Sequence, residues 1–215
     1  MLRIVQPEIL DSLPHDDLEA IHSRQDLSRI NQLMGNTRWL KRVLLLDKDQ
    51  SHDFLEIGAG DGRLGKTLLK AMQVNSYTAL DIAPKPSAWP QSARWVESDL
   101  LTYDGYDEAS HLIANLILHH FEFTALKQLG QRITQSSIHT IVACEPCRRA
   151  FHKVQVKAGR LIGFNRVTLH DATVSVEAGF RGNELPELLG LSASEWDCSI
   201  QETFMGAYRM RATRR

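Results

Sequence analysis

Short apolar runs ending in polar or glycine-rich turns recur along this chain, and several are separated by apolar residues at helical spacing. Phe54, Leu55 and Ile57 stand just before Gly58-Ala59-Gly60-Asp61-Gly62. Such a run is too short for a helix and predicts a buried strand over about 53–57. Leu64, Leu68, Leu69 and Met72 then share one helical face, which predicts a helix over about 61–73. Tyr77 to Asp81 reads as a second strand and Ala93 to Glu97 as a third. Pro84, Pro86 and Pro90 forbid a full helix between them, so that crossover is mostly loop. His111 to Leu118 is almost continuously apolar, as expected of a central strand covered on both faces. Leu126, Leu129 and Ile133 predict a helix over about 122–135, and Ile138 to Cys144 a fifth strand. Strands alternating with helices imply an α/β fold with a doubly wound, mostly parallel sheet.

The flanks read differently. Residues 1–25 are polar, carry Pro7, Pro14 and a His15-Asp16-Asp17 cluster, and predict an extension with one short helix. Leu27, Ile30, Leu33 and Met34 share one helical face, and Trp39, Leu40, Val43 and Leu44 a second, with a break at Gly35-Asn36. Two helices covering an edge or mouth of the sheet follow, from which Asn31, Asn36 and Arg38 point to a site or to surface and capping roles. Residues 1–46 are therefore expected to form a helical cap and 47–215 the main domain, with 147–190 as a substrate-cap region. Within 147–163, Phe151, Val154, Ala158, Leu161 and Ile162 form an apolar helical face, and Arg148, Arg149, Lys153, Lys157 and Arg160 lie mostly elsewhere. A packing helix with a solvated basic side is expected there, with contact to an anionic substrate or lipid surface as the alternative. Val167 to Phe180 alternates enough to predict an extended segment, and Glu184 to Leu189 a short helix. Trp196 to Thr203 and Gly206 to Arg211 predict a C-terminal antiparallel hairpin, completing seven strands.

Composition adds bounds. The 215 residues suit one domain with an extension, and 43% hydrophobic with 24% charged residues is ordinary for a globular protein. A net charge of -1 gives no global attraction to nucleic acid or membrane. No apolar run approaches the roughly 20 residues that span a bilayer, and the N-terminus lacks a signal pattern. Three cysteines predict a reducing, cytoplasmic setting. Oligomeric state is not legible.

The chemistry gathers at Glu56-x-Gly58-x-Gly60-x-Gly62, a turn that lets backbone approach a ligand at a helix start. Gly60-x-Gly62-x-x-Gly65 also fits a dinucleotide pattern, and Gly60 to Lys66-Thr67 a P-loop pattern. Both alternatives leave Glu56 and Gly58 without a task. The P-loop reading also needs a later strand-end acid for Mg²⁺, and only Glu145 offers one. In the first register, residues 50–145 resemble the class I S-adenosylmethionine-dependent methyltransferases, with their Rossmann-like fold. The resemblance implies that Glu56 helps place the methionine amino group and that Gly58, Ala59, Gly60 and Gly62 pass under the cofactor. It implies that Asp81 takes the ribose hydroxyls, that Ile82 flanks adenine, and that Asp99 with Leu100 meets the adenine edge. Asn115-Leu116-Ile117-Leu118-His119-His120-Phe121 resembles the fourth-strand motif of small-molecule members, so Asn115 and Leu116 join the cofactor set. The terminal hairpin resembles the sixth and seventh strands of that fold. Asp26 to Asn31 and Asn165 to Phe180 are loosely similar to small bacterial methyltransferases. A sulfonium cation suits a carboxylate-rich pocket as a polyphosphate does not.

On this reading S-adenosyl-L-methionine is the cofactor and S-adenosyl-L-homocysteine the product. His119 and His120 are candidate bases, a structural role standing beside the catalytic one, and His152 and His170 are further candidates. The [Asp/Asn]-Pro-Pro-aromatic pattern of amino-methylating DNA enzymes is absent. Pro146-Cys147 follows strand five, where a cytosine-methylating nucleophile is not expected, and Cys144-x-x-Cys147 has no second pair for a metal. No metal site is expected, and no RNA-binding module accompanies the basic helix. A small aromatic or apolar acceptor is left, with oxygen favoured as the methylated atom. A P-loop protein using Gly60–Thr67 and a non-catalytic cofactor-binding or partner protein remain the alternatives.

Overall fold

In a computed structural model that describes residues 1–14, 16–46 and 52–215, the chain forms one seven-stranded sheet with helices on both faces. His15 and the expected boundary at 46/47 fall at or beyond the edge of the described residues. The helices are α1 (Leu18–Met34), α2 (Asn36–Leu45), α3 (Arg63–Ala71), α4 (Phe123–Gln135), α5 (Ala150–Ala158), α6 (Arg166–Ala178) and α7 (Glu184–Leu188). The strands are β1 (Asp53–Ile57), β2 (Ser76–Asp81), β3 (Arg94–Glu97), β4 (His111–Asn115), β5 (Thr140–Pro146), β6 (Trp196–Glu202) and β7 (Ala207–Arg214). Their order is β3-β2-β1-β4-β5-β7-β6. β3, β2, β1, β4 and β5 run parallel, and β7 is antiparallel to both β5 and β6.

Alternation along the central strands splits the core in two. Leu55, Ile57, Leu112, Ala114, Ile141 and Ala143 face one layer with Leu126, Leu129 and Ile133 of α4. Phe54, Ile113, Val142 and Cys144 face the other with Leu40 and Leu44 of α2 and Leu64 and Leu68 of α3. Both layers are sealed, so the carboxyl ends of the parallel strands are left for ligands.

Four expectations are corrected. Strand four ends at Asn115, not Leu118: Leu116 takes a left-handed φ of 58° and Leu118–His120 is a 3-10 turn. Leu116 donates its N–H to the Cys144 carbonyl at 2.8 Å, and the next three N–H groups are captured by a side chain described below. Strand five is shifted to Thr140–Pro146. The 167–180 segment is not extended but helical, α6, with Asn165 Oδ1 accepting from Thr168 N at its start. Its burial at Val167, Thr168, Asp171 and Ala172 follows helical spacing, and packing outweighs its β-branched content. The basic helix is α5 with a 3-10 turn over Gly159–Ile162, and its apolar side points outward: Phe151, Val154, Leu161 and Ile162 are exposed, and His152 is buried.

Candidate active site

The glycine turn is a tight exit from β1. Gly58, Gly60 and Gly62 all have positive φ, at 67°, 56° and 71°. Its N–H groups are already engaged. Gly58 and Ala59 donate to the Leu80 carbonyl, Gly62 to the Ala59 carbonyl, and Gly60 to Asp81 Oδ2 at 2.6 Å. A phosphate cradle needs those donors free, and Lys66 only reaches the Asp61 carbonyl at 3.5 Å. The P-loop and pyrophosphate readings therefore lose their anion site. Gly65, which made both patterns match, has a packing reason: a Cβ there would come within 2.7 Å of Trp89 and 2.9 Å of Glu56 Oε2.

Asp81 ends β2 with its other oxygen, Oδ1, accepting from Ala83 N at 2.8 Å. Each carboxylate oxygen is thus fixed by one N–H and keeps a lone pair for a ligand. Beside it opens a cavity of about 170 Å³ lined by Gly58, Asp81, Ile82, Ser98, Asp99, Leu100, Ile117 and Phe121. Asp99 is held by an N–H from Leu101 at 2.8 Å. Asp81, Ile82, Asp99, Leu100 and Gly58 are thereby brought together as expected. Ser98, Ile117 and Phe121 were missed. Ile117 lies so close to Gly58 that a Cβ on Gly58 would come within 2.4 Å of it.

Glu56 does not line this cavity. The alternation of β1 turns it into the α3 layer, where Oε2 accepts from the Tyr77 hydroxyl at 2.6 Å. Burial, with the charges of Asp81 and Asp61 adding, pushes its carboxyl up to about 8 despite the Tyr77 bond. It thus sits beneath the turn, tied to Tyr77, with its protonated form favoured by burial.

A different polar group gathers at the corner between α1 and α2. Asn115, Cys144 and Arg209 pair in one row across β4, β5 and β7. Arg209 Nη2 donates to the Met34 carbonyl at 2.7 Å, and its guanidinium lies 5.7 Å from the Trp39 ring. Asn31 Oδ1, both polar atoms of Asn36, Asn115 Oδ1 and Arg209 Nε are buried without a hydrogen-bond partner. Unpaired buried amides cost about 1–3 kcal/mol each, so these atoms have hydrogen-bonding capacity for a water or a polar ligand. Arg38, by contrast, is exposed.

A larger cavity, about 450 Å³, is lined by Leu116, the neighbour of Ile117. Leu27, Ile30, Val156, Ile162 and Val176 are among its apolar walls, and Glu8, His119 and His120 its polar floor. Glu145, at the end of β5, organises that floor. Its carboxylate accepts the N–H groups of Ile117 (3.2 Å), Leu118 (2.9 Å) and His119 (3.3 Å), and lies 2.7 Å from His119 Nδ1. His119 Nε2 faces Glu8 Oε1 at 3.8 Å, and Ser175 donates to the same Glu8 oxygen. Burial works to lower the His119 pKa, but hydrogen bonds to Glu145 and Glu8 prevail and raise it to about 9. The His120 ring lies tilted against it with ring centroids 4.2 Å apart, and burial plus the His119 charge lowers its pKa. One histidine is therefore held cationic and its neighbour neutral.

Glu8 was not legible as a site residue, because only tertiary contacts deliver it. Arg3 Nη2 donates to the carbonyls of His119 (3.1 Å) and Phe121 (2.8 Å), and the buried Asp171 accepts the N–H groups of Ile9 and Leu10. Ligand atoms of Glu8, His119 and His120 come within 4.8 Å of one another, a grouping the sequence did not foretell. Of the other histidines, His152 lines the large cavity and His170 lies outside it, beside Asp171. The cysteines are free thiols, and burial pushes Cys147 up to about 12, with Glu202 adding, so no thiolate nucleophile forms there.

No protein-family model matches the chain, and no curated protein does. Solved structures do. The plantazolicin methyltransferase BpumL, in complex with a triazolic desmethylPZN analog and SAH, is 11% identical over 95% of this chain and 93% of that one, with a TM-score of 0.72. The pyocyanin biosynthetic protein PhzM is 16% identical over 96% of this chain and 60% of its own, at 0.61. Human N-acetylserotonin methyltransferase in complex with SAM is 17% identical over 94% and 60%, at 0.56. The fold is that of the class I S-adenosylmethionine-dependent methyltransferases. In this methyltransferase fold the glycine turn, Asp81, Asp99 and the histidine pair all stand at the carboxyl edge of the parallel strands. Among the described residues, no helix is long and apolar enough to cross a membrane.

Proposed function

We propose that the protein binds S-adenosyl-L-methionine and methylates a small apolar or aromatic acceptor, on oxygen. The observation that carries this reading is Asp81: a strand-end carboxylate held by Gly60 and Ala83 N–H groups and lining a cavity of about 170 Å³. A carboxylate so placed accepts from two vicinal hydroxyls and repels phosphate. The residues fit the rest of the cofactor as well. The orphaned oxygens of Asn31, Asn36 and Asn115 suit an ammonium group, and Asn36 Nδ2 with Arg209 Nε suits a carboxylate. Ile82, Asp99 and Leu100 border the adenine side. When bound, the cofactor supplies an activated methyl group on a sulfonium.

The chain's own part is alignment and proton removal. Apolar walls exclude water from the large cavity and hold the acceptor over the histidine floor. His120, neutral at physiological pH, takes the proton of the acceptor hydroxyl. His119, charged and clamped between Glu145 and Glu8, fixes the floor and depresses the basicity of His120. Residues 1–46 supply Glu8, Leu27 and Ile30 to that cavity and α5–α6 most of its other wall, which supports their reading as the acceptor cap.

The test is calorimetric titration with S-adenosylmethionine, S-adenosylhomocysteine, ATP–Mg²⁺ and NADH, repeated on Asp81→Ala, followed by a methyl-transfer screen beginning with phenols and quinols. Binding of the first two alone, weakened by the substitution, with turnover in the screen, is expected. Binding of ATP–Mg²⁺ instead would overturn the cofactor, and tight cofactor binding with no acceptor turned over would leave a binding protein.

A further inference from the structure

The outward face of α5 is not an ordinary solvated surface. Phe151 and Val154 are exposed on it, Leu161 is 88% exposed on the following turn, and Ile162 is 67% exposed. Phe204, 72% exposed at the β6–β7 turn, packs its ring 5.1 Å from that of Phe151, with exposed Met205 beside it. Six large apolar side chains thus form one collar. Two of them, Ile162 and Met205, also line the large cavity, and so does exposed Leu33 from α1. The collar is thus continuous with the walls of the large cavity through Ile162 and Met205.

Charge accompanies the collar. Between Glu145 and Asp171 the chain holds six basic residues and no acidic one. Arg148, Arg149 and Lys153 are spent on Glu184, Glu202 and Glu177. Lys157 and Arg160 are exposed, form no ion pair among the described residues, and alternate along the chain with Val154 and Leu161. Apolar side chains that project outward with unpaired cations between them match a bilayer interface carrying anionic headgroups. A protein partner burying Lys157 and Arg160 would need acids to meet them, and an aqueous acceptor would need no apolar rim.

We propose that the collar of Phe151, Val154, Leu161, Ile162, Phe204 and Met205, with Lys157 and Arg160, docks on an anionic membrane surface, so that an amphiphilic acceptor passes from the bilayer into the large cavity. It rests on reading that cavity as the acceptor site. The collar dips into the headgroup layer while the cations meet lipid phosphates. The mouth at Leu33, Ile162 and Met205 then opens onto the acyl region, and the acceptor never crosses water.

Vesicle flotation tests this without any knowledge of the acceptor. The full-length protein is mixed with vesicles of phosphatidylcholine alone or of phosphatidylcholine with phosphatidylglycerol, at low and high salt. Two double variants at exposed positions are compared: Phe151→Asp with Leu161→Asp, and Lys157→Glu with Arg160→Glu. The expected result is flotation with the anionic vesicles, weakened by salt, and loss of about tenfold or more in affinity for each double variant. Calorimetric binding of S-adenosylhomocysteine should be unchanged in both, which separates failure of this proposal from failure of the cofactor reading. Absence of flotation by the wild-type chain would overturn it, as would flotation that neither double variant weakens. A concentration-dependent dimer abolished by Phe151→Asp with Leu161→Asp, without flotation, would overturn it in favour of self-association.

Discussion

His119 Nδ1 lies 2.7 Å from Glu145 Oε2, and the same carboxylate gathers three consecutive backbone N–H groups from Ile117 to His119. One buried acid therefore sets both the ring orientation and the path of the chain after β4. Glu145→Gln keeps the volume but turns an NH₂ group toward donors. Chemical denaturation should show a loss of about 3 kcal/mol, within the range for breaking a buried charged pair. Turnover should fall about 10- to 100-fold, as for an orienting partner behind a working group.

Stability should decline as pH rises from mildly acidic to alkaline. Folded His119 titrates near 9 against an ordinary 6.5, so the folded state holds its proton more tightly. That stabilisation is complete below about 6.5 and is lost as pH climbs through about 9. It amounts to about 3 kcal/mol at the usual conversion, as an order of magnitude for a buried group. Glu56, raised to about 8, has the same sign: folding favours its protonated form, so deprotonation between about 4.5 and 8 also destabilises. Melting temperatures across that span should fall steadily in wild type. In Glu56→Gln the more acidic part of the slope should flatten.

His120 carries the proton transfer in the proposed reaction. His120→Ala should reduce the rate of methyl transfer by about 10²- to 10⁴-fold and leave S-adenosylhomocysteine affinity unchanged. Because the histidine acts when neutral and its pKa is lowered, the wild-type rate should fall only on the acidic side of its ordinary range. That acidic limb should vanish from the pH–rate profile of the variant.

Asp81 and Glu56 both look like cofactor acids in sequence; Asp81 lines the smaller cavity, whereas Glu56 is bonded to Tyr77 beneath the turn. Asp81→Asn should weaken cofactor binding by about 100-fold, since the amide replaces one accepting oxygen with an NH₂ donor. Glu56→Gln imitates the protonated acid and should shift affinity by no more than about threefold. Calorimetry on the pair decides whether the acid beneath the turn or the acid beside it faces the ligand.

Glu8, His119 and His120 stand close enough to invite a cation. The floor is already coupled internally, with Glu8 accepting from Ser175 and His119 bonded to Glu145. Extensive dialysis against EDTA should therefore leave turnover unaltered. Loss of activity that returns with Zn²⁺ or Mn²⁺ would instead make these three side chains metal ligands.

The central elements were legible because their burial follows a clean period. β1, β2, β3 and α4 fall within two residues of expectation; Asp81 was visible as an acid closing a short apolar run, and Asp99 through the family resemblance. Legibility failed where apolar residues serve something other than the core. Leu116 and Ile117 looked like more strand because their side chains line cavities, and Phe151 and Leu161 looked like a packing face because their exposure has no signature in spacing. α6 was hidden by Val167, Thr168, Thr173, Val174 and Val176, whose strand preference is overruled by packing against α1 and α5. Glu8 joins the site from more than a hundred residues away, and no local pattern carries that information.

Leu116 stands in a left-handed backbone conformation and, with Ile117, gives one side chain to each cavity. Neighbouring residues of one turn thus border both compartments. On the proposed reading of the two cavities, a substitution at Leu116 or Ile117 should change acceptor preference and cofactor affinity together. Selection for a new acceptor would find its freedom in the cap helices, while the turn itself stays fixed.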